Sequence, residues 1–89
     1  MAHSLSARKR IRQNAKRRAL ARWRLRAMRI AIRDFHNALA HGTVDEAKAA
    51  YATCQKVIDR TAQKGVIHPN QRDRRKSRMV AAIKRKQAA

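Results

Sequence analysis

Acid is what this chain has least of. Five Asp and Glu stand against 24 Lys and Arg over 89 residues, a formal net charge of +19. Self-repulsion at that level weakens a compact free state and calls for an anionic partner. Aromatics are limited to Trp23, Phe35 and Tyr51, so stacking bases on an aromatic sheet, as RNA-recognition and single-strand folds do, lacks its material. Phosphate contact and shape remain. One cysteine, Cys54, excludes an intrachain disulfide and fits a reducing compartment. The uncharged runs are short and Ala-rich, so none spans a membrane. Met1-Ala2-His3 leads into basic sequence without a signal peptide's apolar core. The expectation is a soluble, intracellular protein of a single small domain.

The means of catalysis are equally scarce. The few acids are scattered, and Asp45 and Glu46 suit a helix cap. His36 and His41 are five apart, off the spacing that puts two ligands on one helical face. Cys54 falls on an apolar stripe, where a small buried hydrophobe is the better reading. There is no Gly-rich phosphate loop. No enzyme activity, cofactor or metal is expected.

What is present is helix-forming sequence. From about Ser6 to His41 there is neither Pro nor Gly, and Ala, Arg, Leu, Lys and Met dominate. A helix over about 6–41 would run roughly 50 Å, longer than the rest of the chain can cover. Its halves differ. Leu25, Met28, Ile32, Phe35 and Leu39 form one apolar stripe that wants a protein partner. Before it, Arg8, Lys9, Arg10, Arg12, Lys16, Arg17, Arg18, Arg22 and Arg24 wind around the whole axis, which suits a polyanionic covering. Ser4 and Ser6 both suit an N-cap. Arg26 and Arg29 continue the basic segment in the row Arg22, Arg26, Arg29, Arg33. Trp23, off the stripe, fits either a sugar-phosphate backbone or a neighbouring Arg stem.

Gly42 suits a left-handed helix stop. Thr43-Val44-Asp45-Glu46 reads as a capping box opening a helix over about 44–64. That helix carries Val44, Ala47, Tyr51, Cys54, Ile58 and Thr61 on one face, the partner for the first helix's stripe. Val66-Ile67 is read as a plug for the bundle's end, and His68-Pro69 as an extended turn. Asn70 is read as the cap of a third helix over about 71–86, with Asp73 at N3. Arg72, Arg74, Arg75, Lys76 and Arg78 crowd its opening turns, Met79, Val80, Ala82 and Ile83 follow, and the tail from Lys84 is expected to fray. The fold class is therefore all-α, a three-helix bundle with an extended first helix projecting beyond it. Residues 1–41 hold 12 basic and 1 acidic residue, 42–65 hold 4 and 3, and 66–89 hold 8 and 1. Helix two is the scaffold and helices one and three the binding surface.

Structured RNA, duplex DNA bound by a histone-like architectural protein of the nucleoid, and an anionic membrane surface all fit this composition. The membrane fits worst, because the most basic segment has no apolar face to insert. A rigid helix charged on all sides suits a crevice between RNA helices better than one groove of a straight duplex. Ser6-Ala7-Arg8-Lys9-Arg10, Lys16-Arg17-Arg18, Asp59, then Lys64-Gly65-Val66-Ile67-His68-Pro69-Asn70 and Arg74-Arg75-Lys76-Ser77-Arg78-Met79 resemble, in order, the bacterial small-subunit ribosomal protein family called S-twenty. The resemblance implies direct binding of small-subunit ribosomal RNA, with His68, Asn70 and Ser77 joining the basic residues above. It also implies a single copy in the cytoplasmic ribosome, few or no protein contacts and no catalysis. Ala21, Arg26, Pro69 and Asp73 depart from the family's usual residues.

Overall fold

The computed structural model describes residues 4–89 and consists of α1 (Leu5–His41), α2 (Val44–Gln63) and α3 (Pro69–Ala88). No strand occurs among the described residues. At 37 residues, α1 is about 55 Å long and sets the shape of a molecule measuring 63 × 22 × 17 Å. The radius of gyration is 17.8 Å, against about 12 Å for a compact globule of this chain length. The difference is the first helix.

Only the second half of α1 is packed. Met28 and Phe35 are buried, with Leu25, Ile32 and Leu39 half-buried beside them. From α2 they meet Ala47, Cys54 and Ile58, and α3 adds Met79 and Ile83. Phe35, fully buried, meets Tyr51 edge to face with ring centroids 6.3 Å apart. The antiparallel α1–α2 pair carries most of the packing. α3 lies chiefly on α2 and touches α1 only thinly. The Lys76 ammonium, 3.1 Å from an Asp59 carboxylate oxygen, ties α3 to α2.

The caps explain where the helices stop. Ser4 begins α1 by accepting from the Ala7 N–H at 3.2 Å. At the α1–α2 turn, Gly42 is extended (φ −100°) rather than left-handed, a correction to the sequence reading. Glycine is needed there for space: a Cβ would lie 2.8 Å from the Ala38 carbonyl oxygen and against the Glu46 carboxylate. Thr43 caps α2, its hydroxyl accepting from the Glu46 N–H at 3.2 Å. The left-handed glycine is Gly65 (φ 75°), where the Gly65 N–H donates to Ala62 (3.0 Å) and the Val66 N–H to Thr61 (3.1 Å), the paired bonds of a Schellman close. Ile67 then turns into the core and seals that end.

α3 starts earlier than its sequence suggests. His68, not Asn70, is the N-cap: its Nδ1 accepts from the Asn70 N–H at 3.1 Å, and Pro69 takes the first helical position. Proline fits there because it has no N–H to leave unpaired and its φ is already helical. Asp73 is consequently not a capping residue and instead accepts from Arg72 at 2.9 Å. At the far end the helix runs to Ala88, two residues beyond the expected end.

Candidate nucleic-acid interface

The basic segment of α1 divides at Arg17. Between Leu5 and Lys16 no residue is buried, and Arg8, Lys9, Arg10, Arg12 and Lys16 are all exposed. At about 100° per residue they cover a little over half the circumference, and Arg18 just beyond them stands on the side that Ala7, Ile11, Asn14 and Ala15 leave uncharged. This arm, about a dozen residues and roughly 18 Å long, ends in the free N–H groups and positive dipole end of a helix, which add to the attraction for an anion.

From Arg17 onward α1 has company. The α2–α3 turn lies beside it, and Arg17, Arg24 and Lys64 surround a groove of ≈ 320 Å³ floored by Leu20, Ala21 and Val66. Three cations from two elements thus converge on one concave surface. Nothing in the linear sequence marked Lys64 as a neighbour of Arg17; the Schellman turn at Gly65 brings it there. Arg18, Arg22, Arg26, Arg29 and Arg33 remain exposed along the outside of the helix.

Trp23 is 64% exposed and stands at a smaller groove of ≈ 220 Å³ bordered by Arg24 and, from α2, Arg60. So α2 is more than a scaffold: it presents Arg60, and the turn after it Lys64, beside the basic part of α1. Sequence reasoning missed both, since helix two is nearly neutral in total.

The α3 candidates separate into engaged and free side chains. Arg72 donates from Nε to Asp73, and that hydrogen bond, with the adjacent charge, holds the Asp73 carboxyl below its ordinary value. Lys76 is engaged with Asp59. Arg74, Ser77 and Arg78 are exposed. Arg75 is half-buried on the side toward α1, and its Nε is buried without a hydrogen-bond partner. His68 is exposed and spends Nδ1 on the cap, and Asn70 is exposed next to it. His68, Asn70 and the first turn of α3 lie at the end of the bundle from which the arm projects.

Burial pushes the Cys54 thiol up to about 11 against the opposing pull of the Arg75 charge, so it is a poor nucleophile at neutral pH. Among the described residues no three of His, Cys, Asp and Glu gather to hold a metal ion, and no helix is long and apolar enough to cross a membrane.

The model of the family described as ribosomal protein S20 matches residues 2–84. The small ribosomal subunit protein bS20 of Psychrobacter sp. (strain PRwf-1) is 48% identical over 84 residues, covering 94% of this chain and 96% of the relative. Its counterpart in Shouchella clausii is 42% identical over 78 residues, covering 88% and 89%. That of Caulobacter vibrioides is 39% identical over 85 residues, covering 96% and 93%.

Proposed function

Since the chain belongs to the ribosomal protein S20 family, and so is a structural component of the small subunit of the cytoplasmic ribosome, we propose that it binds ribosomal RNA directly and holds neighbouring RNA segments together. The arm of α1 enters between RNA helices, while the Arg22–Arg33 row, the Arg17–Lys64 groove and the free basic residues of α3 take the surrounding phosphates. Its role is structural, not catalytic.

The observation that carries this reading is the amino-terminal stretch of α1 from Leu5 to Arg18: it has no buried side chain, and its cations together face every side of the helix. A helix of that kind has no protein surface to cover it. Phosphates from several directions satisfy it; a single groove of a straight duplex would leave half its charges facing solvent.

Titrating binding to small-subunit RNA against salt tests the proposal. With about eight to ten phosphates neutralised, log K falls against log salt with a slope of roughly −6 to −9, and structured small-subunit RNA displaces duplex DNA. A slope shallower than about −3 contradicts a phosphate-dominated interface. Equal competition by duplex DNA at physiological salt would favour an architectural protein of the nucleoid.

A further inference from the structure

We propose that the cleft between α1 and α3 seats one unpaired nucleotide of the bound RNA, with its phosphate among Arg75, Arg78 and Arg85 and its base over Ile32, Met79 and Ala82. This rests on the RNA-binding reading above and adds to it a specific site and the kind of nucleotide that enters it. Because α3 packs on α2 and meets α1 only thinly, a cleft of ≈ 330 Å³ stays open between them, within the range of small-ligand pockets.

Helical spacing puts an unusual set of side chains there. Residues 75, 78, 82 and 85 fall on one face of α3, and that face turns toward α1. A bundle normally fills such a face with aliphatic residues; here three of the four are arginines. No acid lines the cleft. Among the described residues none of the three arginines is in an ion pair. Arg75 Nε is in addition buried and unpartnered, a donor that has lost water and gained nothing in return. An occupant with negatively charged oxygens in fork geometry completes all of this.

The floor says the occupant is more than an inorganic anion. Ile32, Met79 and Ala82 are apolar and His36 stands at the edge, so the site also accepts a flat body with an apolar face and a polar rim. A nucleobase has that form. A paired base cannot reach it, whereas RNA loops and bulges present splayed nucleotides that proteins seat in this way. On α1, Arg29 and Arg33 border the same side of the helix as Ile32 and His36 by helical spacing. A backbone followed along the Arg22–Arg33 row therefore passes the mouth of the cleft.

The test uses the full chain bound to a small-subunit RNA fragment. With Ile32, Met79 and Ala82 methyl-labelled, proton–proton contacts between these methyls and ribose or base protons of a single nucleotide are expected. Ala82→Leu, which fills the floor, weakens RNA binding about fivefold or more, the lower end of one seated base's contribution, with the salt slope unchanged. Arg78→Gln with Arg85→Gln instead lowers the slope by about one unit, since the two share one phosphate. Methyls free of RNA contacts, in a complex whose arm residues do contact RNA, overturn the cleft and leave the RNA-binding reading standing. If neither set contacts RNA, that reading falls as well. Should Ala82→Leu unfold the bundle, the methyl contacts in the unaltered chain still decide.

Discussion

In the free protein the arm of α1 is expected to be largely unfolded, with RNA supplying what holds it as a helix. Residues 5–16 bury no side chain, so only local effects act on them. Arg8 with Arg12, and Arg12 with Lys16, are i, i+4 pairs of like charge; with Lys9 against Arg12 at i, i+3 they disfavour the helix by about 1 kcal/mol in all. Basic residues near the positive end of the dipole add about 0.3–1 kcal/mol against it. The Ser4 cap, whose hydroxyl accepts from the Ala7 N–H, returns about 1 kcal/mol. The balance lies near zero, and amides of the arm should exchange within about tenfold of an unstructured chain. Around Phe35, Cys54 and Ile58, where opening requires breaking the core, protection should be higher by roughly three orders of magnitude.

The perturbation that separates the causes is Arg8→Ala with Arg12→Ala and Lys16→Ala. It removes every repelling pair and inserts the best helix former, so arm protection in the free protein rises about tenfold. RNA affinity moves the other way, and the salt slope falls by about three units. Hydrogen exchange followed by NMR reads the first effect and a salt titration the second. An arm already as protected as the Phe35 segment in the unaltered free protein at low salt would refute the reasoning, because the helix would then be preformed. Ordering on binding would otherwise draw on the gross affinity, as in other coupled folding events.

Periodicity carried most of the fold. The Leu25–Leu39 stripe, the Thr43 cap and the glycine after Lys64 are local patterns, and each appears in the structure. What failed to show in the sequence depended on close approach or on a choice between adjacent caps. Gly42 reads as a left-handed stop because most helix-ending glycines are; its real constraint is the Ala38 carbonyl and the Glu46 side chain, which only the turn brings together. Asn70 outranks His68 as a cap by residue preference, and His68-Pro69 reads as an extended turn outside the helix; in the fold Pro69 is the first helical residue and His68 its cap. The candidate site was legible as charge but not as arrangement. The basic residues of α1 stand out by number, yet the α2–α3 turn comes beside Leu20 and Ala21 and borders a groove with them, so the arm without neighbours ends before Arg17, where pattern alone puts it near Arg24. Arg85 reads as part of a loose tail and instead faces a cleft 10 residues along the helix from Arg75.

Three further outcomes follow from the bundle itself. Thr43→Ala should destabilise it by about 0.5–2 kcal/mol through the lost cap, with RNA affinity changing only as folding does. The two glycines should answer oppositely to Asn: Gly65→Asn, in open space at φ 75°, is tolerated better than Gly65→Ala, whereas at Gly42 either side chain meets the same obstruction. Equal tolerance at both sites by thermal melting would mean the turns have been misassigned. The last concerns Cys54, whose folded-state thiol is pushed up to about 11 from an ordinary value of 9.0 by burial. As pH rises, the unfolded chain loses this proton first, so across that window the native state binds more protons and stability must fall with pH. Below about pH 9 the contribution is fully present; it declines by at most about 1.4 kcal/mol per pH unit and is exhausted near pH 11. Other groups titrate there too, so the quantity to follow is the stability difference between the protein and Cys54→Ala, measured by urea unfolding under reducing conditions. That difference should favour the unaltered chain at neutral pH, where alanine leaves a cavity, and should shrink steadily as pH rises through the window. A difference that stays constant from about pH 8 to 11 would show that the thiol is not held neutral by the core, and the fully buried position of Cys54 on α2 would have to be given up.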